Sequence, residues 1–158
     1  MELVVAVIAI VGTLLGALVT GKLQERSAGR TESAARGEQV RRDRLAAVTD
    51  LAEALSDHRA RMWHRGDALL AGADTELLAG LRAQTQESRS RITRPLVTLR
   101  VLITDPAVRA AADRMVDLTY AMREAYTTTD ALAQAREDAK TAHNAFVDAA
   151  AAFFDRTA

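Results

Sequence analysis

The side chains best suited to chemistry in this sequence are three histidines, His58, His64 and His143. His58 and His64 are six residues apart, and that spacing does not bring two side chains to one face of a helix. The sequence lacks the His-Glu-x-x-His metal motif, the glycine-rich phosphate loop, the Gly-x-Ser-x-Gly turn and a paired-carboxylate signature. We therefore predict no enzyme activity, no metal site and no cofactor, with each histidine on the surface or in the packing face of a helix.

Two short basic clusters are the next candidates for a binding site. They are Arg59, Arg61, Met62, Trp63, His64 and Arg65, and then Arg89, Arg91 and Arg94. The first could contact a partner protein or nucleic acid through its tryptophan. We favour the interpretation that Trp63 is a core residue bordered by solvated arginines, and that the second cluster is a solvated helix face.

The composition excludes further classes of site and favours helices. The chain has no cysteine, which rules out disulfide frameworks, thiol catalysis and cysteine-based zinc sites. Only two prolines and eight glycines occur in 158 residues, and no useful stretch has the alternating pattern of a strand. The formal net charge is zero, which argues against strong general binding of nucleic acid. We predict an all-α protein.

An uncharged run at residues 3–20 predicts a membrane anchor. As a helix it would span roughly 27 Å, close to the hydrocarbon thickness of a bilayer. Its eleven Leu, Ile and Val residues would favour insertion by about 3 to 7 kcal/mol. Two alternatives are a cleaved secretion signal, which would give an extracytoplasmic helical protein, and a buried helix of a soluble core.

Basic residues follow the apolar run. Residues 22–44 contain four acidic residues against seven basic ones, which are Lys22, Arg26, Arg30, Arg36, Arg41, Arg42 and Arg44. The positive-inside rule places the N-terminus outside the cell membrane and the long C-terminal region in the cytoplasm. These seven side chains are candidate contacts for an anionic membrane surface or, as the alternative, for DNA.

Small residues inside the apolar run predict self-association. Gly12 and Gly16 form a Gly-x-x-x-Gly pair, and Thr20 extends the same face by one turn. Small residues at this spacing let two membrane helices approach closely. We predict a homo-oligomer with its helix–helix interface at these three residues; the alternative is a plain lipid-facing span.

The rest of the chain predicts a basic stalk at residues 22–44 and a cytoplasmic helical domain at residues 45–158, after the anchor at residues 1–21. The domain is a bundle of long helices or a coiled-coil hairpin. Apolar residues spaced three and four apart predict the packing face of its first helix, which comprises Leu45, Val48, Ala52, Leu55, Arg59, Met62, Gly66 and Leu69.

Local signals predict where the later helices begin and end. The segment 71–74, Ala-Gly-Ala-Asp, resembles a helix C-cap followed by an N-cap, and Asp105-Pro106 is the sharpest boundary. Pro95 is expected to kink or break the second helix. The segment 127–130, Thr-Thr-Thr-Asp, is either a turn or a weak point in a continuous helix.

Some of these motifs together resemble a known family. The anchor sequence Val11-Gly12-Thr13-Leu14-Leu15-Gly16-Ala17-Leu18, then Gln24 and Arg26, then Arg41-Arg42-Asp43-Arg44-Leu45-Ala46, resembles the KilB-type proteins of actinobacterial conjugative plasmids and integrated elements. The resemblance covers mainly the first third of the chain, with Leu102-Ile103-Thr104-Asp105-Pro106 as a shared turn. It implies a membrane-associated protein that helps a plasmid spread within a mycelium and is toxic when its expression is unrestrained. It implies no catalytic residues.

Two functional hypotheses follow from the sequence. The first is a non-enzymatic, membrane-anchored protein that assists plasmid transfer and spread by oligomerisation and by binding plasmid transfer proteins. The second is a membrane tether that contacts DNA through Arg36, Arg41, Arg42 and Arg44.

Overall fold

The backbone of residues 2–157 and the side chains of residues 35–157 are described by a computed structural model. All the regular secondary structure in this backbone is helical. The four α-helices are α1 (Glu2–Leu70), α2 (Thr75–Leu102), α3 (Pro106–Ala121) and α4 (Thr129–Arg156), and a 3₁₀ turn, Met122–Ala125, lies between α3 and α4. The chain divides into two compact units, residues 1–42 and residues 43–158.

The predicted membrane anchor lies outside the residues whose side chains are described. Within the part of the chain that was searched, no helix has a segment long and apolar enough to cross a bilayer. The anchor, its orientation and the glycine interface therefore stay predictions. The all-α class is confirmed.

The helix boundaries are where the local signals predict them. Gly72 takes a positive φ of 71° after α1, in the left-handed region that favours glycine. Asp74 caps α2 by accepting a hydrogen bond from the Leu77 amide at 2.8 Å. At the start of α3, the Asp105 carboxylate accepts hydrogen bonds from the amides of Ala107 and Val108. The bond from Val108 is the main reason that the pKa of this carboxyl lies below its usual value.

The segment 127–130, for which the sequence left two alternatives open, contains a turn between α3 and α4. The 3₁₀ segment ends at Ala125, and Thr128 then caps α4, its hydroxyl accepting a bond from the Ala131 amide at 3.1 Å. The threonine-rich segment is therefore a true break between two helices. It lets α4 reverse direction and return along the bundle.

Residues 43–158 form an antiparallel four-helix bundle. Contacts between helices show the relative directions of the helices. Arg44 of α1 contacts Leu102 of α2, whereas His58, further along α1, contacts Ser88, which is earlier on α2, so these two helices are antiparallel. Arg100 of α2 pairs with Asp113 of α3 across the short connection between these helices. On α4, Arg136 covers Trp63 and Phe153 meets Arg44, so α4 runs antiparallel to α1. Short connections between neighbouring helices produce this up-down-up-down order.

The core combines one face of each helix. Fully buried side chains in the larger cluster include Leu51, Leu55, Ile92, Leu99, Ile103, Val108, Met115 and Phe146. A smaller cluster near the 3₁₀ turn contains Met62, Met122, Leu132 and Ala139. The alanines on α4 are small enough to let the helices pack closely.

The predicted packing face of α1 was partly wrong. Val48, Leu55, Met62 and Gly66 are buried as predicted, but Leu45 and Leu69 are 54% and 44% exposed. The buried positions instead include Ala47, Leu51 and His58. The face is shifted because α1 packs against both α2 and α4, so its buried stripe is wider than one heptad seam.

Pro95 does not break α2. The helix continues from Thr75 to Leu102 through this residue. An interior proline costs roughly 3 kcal/mol. Ile92 and Leu99, one turn on either side, are fully buried, and burying such side chains contributes about 1.5 to 3 kcal/mol each, which offsets that cost.

Candidate functional site

A cleft of about 470 Å³ lies on the bundle. Its walls come from α1, α2, α3 and the 3₁₀ turn, so no single sequence segment encodes it. This volume lies in the range of small-molecule binding sites. We refer to it as the arginine cleft.

Four arginines line the arginine cleft. They are Arg65 from α1, Arg82 and Arg89 from α2, and Arg123 from the 3₁₀ turn. None of the four forms a salt bridge or a hydrogen bond within the described part of the chain. Asp117 and Glu124 also line the cleft, so the lining carries four positive and two negative charges.

Four arginines outside the cleft are paired with acidic side chains. Arg61 pairs with Asp57 at 3.0 Å, and Arg91 pairs with Glu87 at 2.5 Å, each within one helix. Arg100 reaches Asp113 and Arg156 reaches Asp105, both at 2.7 Å and both between elements. The four arginines of the cleft lack such partners among the described residues, as do Arg94 and Arg114 outside it, but only the cleft brings several of them to one cavity.

A buried polar pair forms part of the cleft wall. His58 is 2% exposed, and its Nδ1 lies 2.9 Å from the Ser88 hydroxyl. Ser88 donates its own proton to the Thr85 carbonyl at 3.0 Å, so its oxygen accepts from the His58 Nδ1–H. Burial, together with the nearby charge of Arg89, lowers the pKa of His58 to about 4. The imidazole is consequently neutral, and its Nε2 is an unprotonated acceptor.

Two tyrosine rings form cation–π contacts with arginines of the cleft. The Arg89 guanidinium lies over the Tyr120 ring, 4.7 Å from its centroid, and Tyr120 meets His58 edge-on at 5.6 Å. On the other side, Arg65 lies 5.8 Å from the Tyr126 ring, whose hydroxyl donates to the Met62 carbonyl at 2.7 Å. These cation–π contacts orient two guanidiniums without neutralising them.

Of the residues predicted from the sequence as membrane or DNA contacts, those with described side chains do not line the arginine cleft. Gly12, Gly16, Thr20, Lys22, Arg26 and Arg30 lie outside the residues with described side chains. Arg36, Arg41 and Arg42 are exposed on α1, and Arg42 lies 3.6 Å from Glu38. Arg44 instead contacts the bundle: its Nε donates to the Leu102 carbonyl at 3.0 Å and its guanidinium covers the Phe153 ring at 5.7 Å.

Several side chains of the first basic cluster pack against the bundle or bond to neighbouring residues on it. Trp63 is half-buried against the smaller core cluster and is covered by Arg136, 4.6 Å from its ring. Arg59 is partly buried and donates to Ser56 at 2.9 Å. Burial, followed by the charge of Arg59, lowers the pKa of His143. Met62 and Arg65 of this cluster line the arginine cleft.

The sequence did not reveal the cleft itself. Arg65 and Arg89 were noted in two separate clusters, whereas Arg82 and Arg123 carried no signal. Within the part of the chain that the structure describes, no group of His, Asp and Glu side chains could hold a metal ion.

Comparison with known proteins identifies the family. The model of the KilB plasmid transfer protein family matches residues 45–154. The chain belongs to the KilB plasmid transfer protein family. It is 40% identical over 152 residues to Protein KilB of Streptomyces lividans, an alignment that covers 96% of this chain and 99% of that protein. No solved structure matches.

The match to the KilB family covers the bundle, and the whole lining of the arginine cleft lies within it. The alignment with the Streptomyces lividans protein extends further, because 96% of the chain exceeds the span of residues 45–154. The resemblance inferred from the sequence is confirmed, and it links the protein to plasmid transfer.

Proposed function

We propose that the protein is a non-enzymatic, membrane-anchored accessory of conjugative plasmid transfer, which assists plasmid spread within a mycelium. The observation that carries this proposal is the match of the KilB plasmid transfer protein family across the four-helix bundle. In this proposal the bundle acts as a binding module for plasmid transfer proteins, and copies of the protein associate into a homo-oligomer.

The N-terminal segment supplies the membrane part of the proposal. The uncharged run at residues 3–20 has the length and apolarity of a single span, and the basic residues that follow it favour a cytoplasmic bundle. An excess of such anchors in the bilayer would also account for toxicity on overexpression.

The anchor is tested by fractionating cells that express the full chain. We expect the protein in the membrane fraction after alkaline carbonate washing, and in the soluble fraction when Leu14 and Leu15 are both changed to arginine. Each arginine at the centre of a span costs about 2.5 to 3.5 kcal/mol of insertion. The control is Leu77→Arg, since Leu77 is a half-exposed leucine of the bundle. Wild-type protein in the soluble fraction would contradict the proposal.

The orientation is tested by protease treatment of spheroplasts that carry a C-terminal tag. A cytoplasmic bundle protects the tag until the membrane is permeabilised. Cleavage of the tag in intact spheroplasts would instead support the secreted alternative.

One observation favours the DNA tether as a second candidate. The side chains of Arg36, Arg41 and Arg42 are all exposed on α1, within two turns of each other. A gel shift with the full chain in detergent tests it: replacing the three by glutamine should abolish a salt-sensitive shift if this surface contacts DNA. No shift with the wild type in moderate salt would exclude the tether.

A further inference from the structure

The arginine cleft has the properties of a binding site for a small anion-bearing ligand. Arg65, Arg82, Arg89 and Arg123 line a cavity of about 470 Å³, and none of them has a salt bridge among the described side chains. Like charges held together repel each other, and this repulsion is relieved when an anion enters between them. Guanidinium groups match phosphate oxygens in geometry as well as in charge.

The cleft also offers hydrogen-bond acceptors, which narrows the ligand class. The Nε2 of His58 has no partner in the described structure, and His58 is 2% exposed at the cleft. Asp117 and Glu124 add carboxylate oxygens beside the arginines. A ligand that complements both sets of groups carries phosphate together with hydroxyl or N–H donors.

The dimensions of the cleft favour a small-molecule ligand over an extended nucleic acid or peptide. Arg82 and Arg89 are seven residues apart on α2, which separates them by roughly 10 Å along the helix axis. This length and the volume of the cavity suit a ligand with two or three linked phosphates and one ring system. Extended nucleic acid and acidic peptide segments need a longer groove.

We propose that the arginine cleft binds a nucleoside di- or triphosphate, with Arg82, Arg89 and Arg123 on the phosphates and His58 accepting a hydrogen bond from the nucleoside. The inference uses only the bundle, and it holds whether or not the protein is anchored in a membrane.

The test is a titration calorimetry series with the purified full chain in detergent at near-physiological salt. The probes are the four ribonucleoside triphosphates, the corresponding diphosphates, pyrophosphate, adenosine, a short single-stranded DNA and a short polyglutamate peptide. We expect saturable binding of at least one triphosphate, weaker binding of pyrophosphate and no binding of adenosine.

Two matched variants locate the binding. Arg82→Gln removes an unpaired guanidinium from the cleft, and Arg94→Gln removes an exposed one from the same helix outside it. We expect Arg82→Gln to weaken nucleotide binding about tenfold or more, and Arg94→Gln to leave it unchanged. Arg82 makes no hydrogen bond in the bundle, so the thermal midpoint of Arg82→Gln should equal that of the wild type.

Three results would overturn the proposal. The first is absence of binding by every nucleotide. The second is binding that Arg82→Gln does not weaken more than Arg94→Gln does. The third is tighter binding of the single-stranded DNA or the polyglutamate peptide than of any nucleotide, which would assign the cleft to a macromolecule.

Discussion

At the residue scale, Gly66 shows how closely α1 approaches the turn before α4. A Cβ atom at this position would lie 2.6 Å from Tyr126 Cε1 and 2.8 Å from Leu132 Cδ2. The Tyr126 ring cannot move away freely, because its hydroxyl is bonded to the Met62 carbonyl. Glycine is therefore required here by packing, although alanine is the better helix former.

We expect Gly66→Ala to lower the free energy of unfolding by about 1 to 2 kcal/mol, as overpacking outweighs the gain in helix propensity. The control is Gly80→Ala on α2, where nothing lies within 4 Å of the added Cβ. That change should raise the free energy of unfolding by roughly 0.5 to 1 kcal/mol. Urea denaturation of both variants measures the difference, and equal effects would contradict this account of Gly66.

His58 makes the stability of the bundle depend on pH. Its pKa in the folded protein is about 4, against 6.5 for an unperturbed histidine, so the unfolded chain binds more protons between these values. Stability therefore falls as the pH drops from 6.5 toward 4, by up to roughly 3 kcal/mol. His143, whose pKa is also lowered, contributes in the same direction.

The variant His58→Asn should lose most of this dependence, because an asparagine amide can donate to Ser88 without titrating. Urea unfolding at pH 7, 5.5 and 4.5 would show a shallower decline for the variant than for the wild type. Parallel declines would show that the acid sensitivity arises elsewhere.

At the scale of elements, the caps determine where each helix begins. The Thr128 hydroxyl satisfies the Ala131 amide at the start of α4, whereas its neighbour Thr127 is exposed and makes no side-chain hydrogen bond. The two residues differ in role although they are identical in type. This makes them a matched pair for testing the cap.

Thr128→Ala should lower the free energy of unfolding by about 1 kcal/mol, because one amide of α4 loses its partner. Thr128→Ser should retain most of the stability, and Thr127→Ala should change it by less than about 0.5 kcal/mol. Thermal unfolding followed by circular dichroism measures all three. A larger loss for Thr127→Ala than for Thr128→Ala would refute the assigned cap.

At the scale of the whole molecule, the proposal combines a membrane segment and a helical bundle in one chain. The bundle buries one face of each of its helices within the described part of the chain. The self-association that we propose is placed in the N-terminal segment, at Gly12 and Gly16. The interface proposed there and the cleft proposed in the bundle can be tested separately.

Replacing both Gly12 and Gly16 by isoleucine should reduce the signal of the full chain in a bacterial membrane two-hybrid assay, because larger side chains keep two helices apart. The control is Ala17→Ile, which adds similar bulk about 100° around the helix from Gly16. An unchanged signal for the double variant, or an equal loss with Ala17→Ile, would place self-association elsewhere.

Local signals in the sequence were sufficient to predict the helix boundaries. Gly72, Asp74, Asp105 with Pro106, and Thr128 each act within one turn of the chain, so their cap and turn signals are readable without a fold. The family was recognisable from short motifs for the same reason.

Packing between helices determines which face of α1 is buried, the continuity of α2 through Pro95 and the position of four arginines around one cleft. These features depend on partners distant in sequence: His58 is bonded to Ser88, and Arg65 and Arg123 line the same cavity. The free energy of burying a helix face, or of holding like charges close together, depends on which elements contact each other. The sequence of one helix does not specify which other helices will pack against it. It therefore cannot predict the buried face, the tolerated proline or the shared cleft.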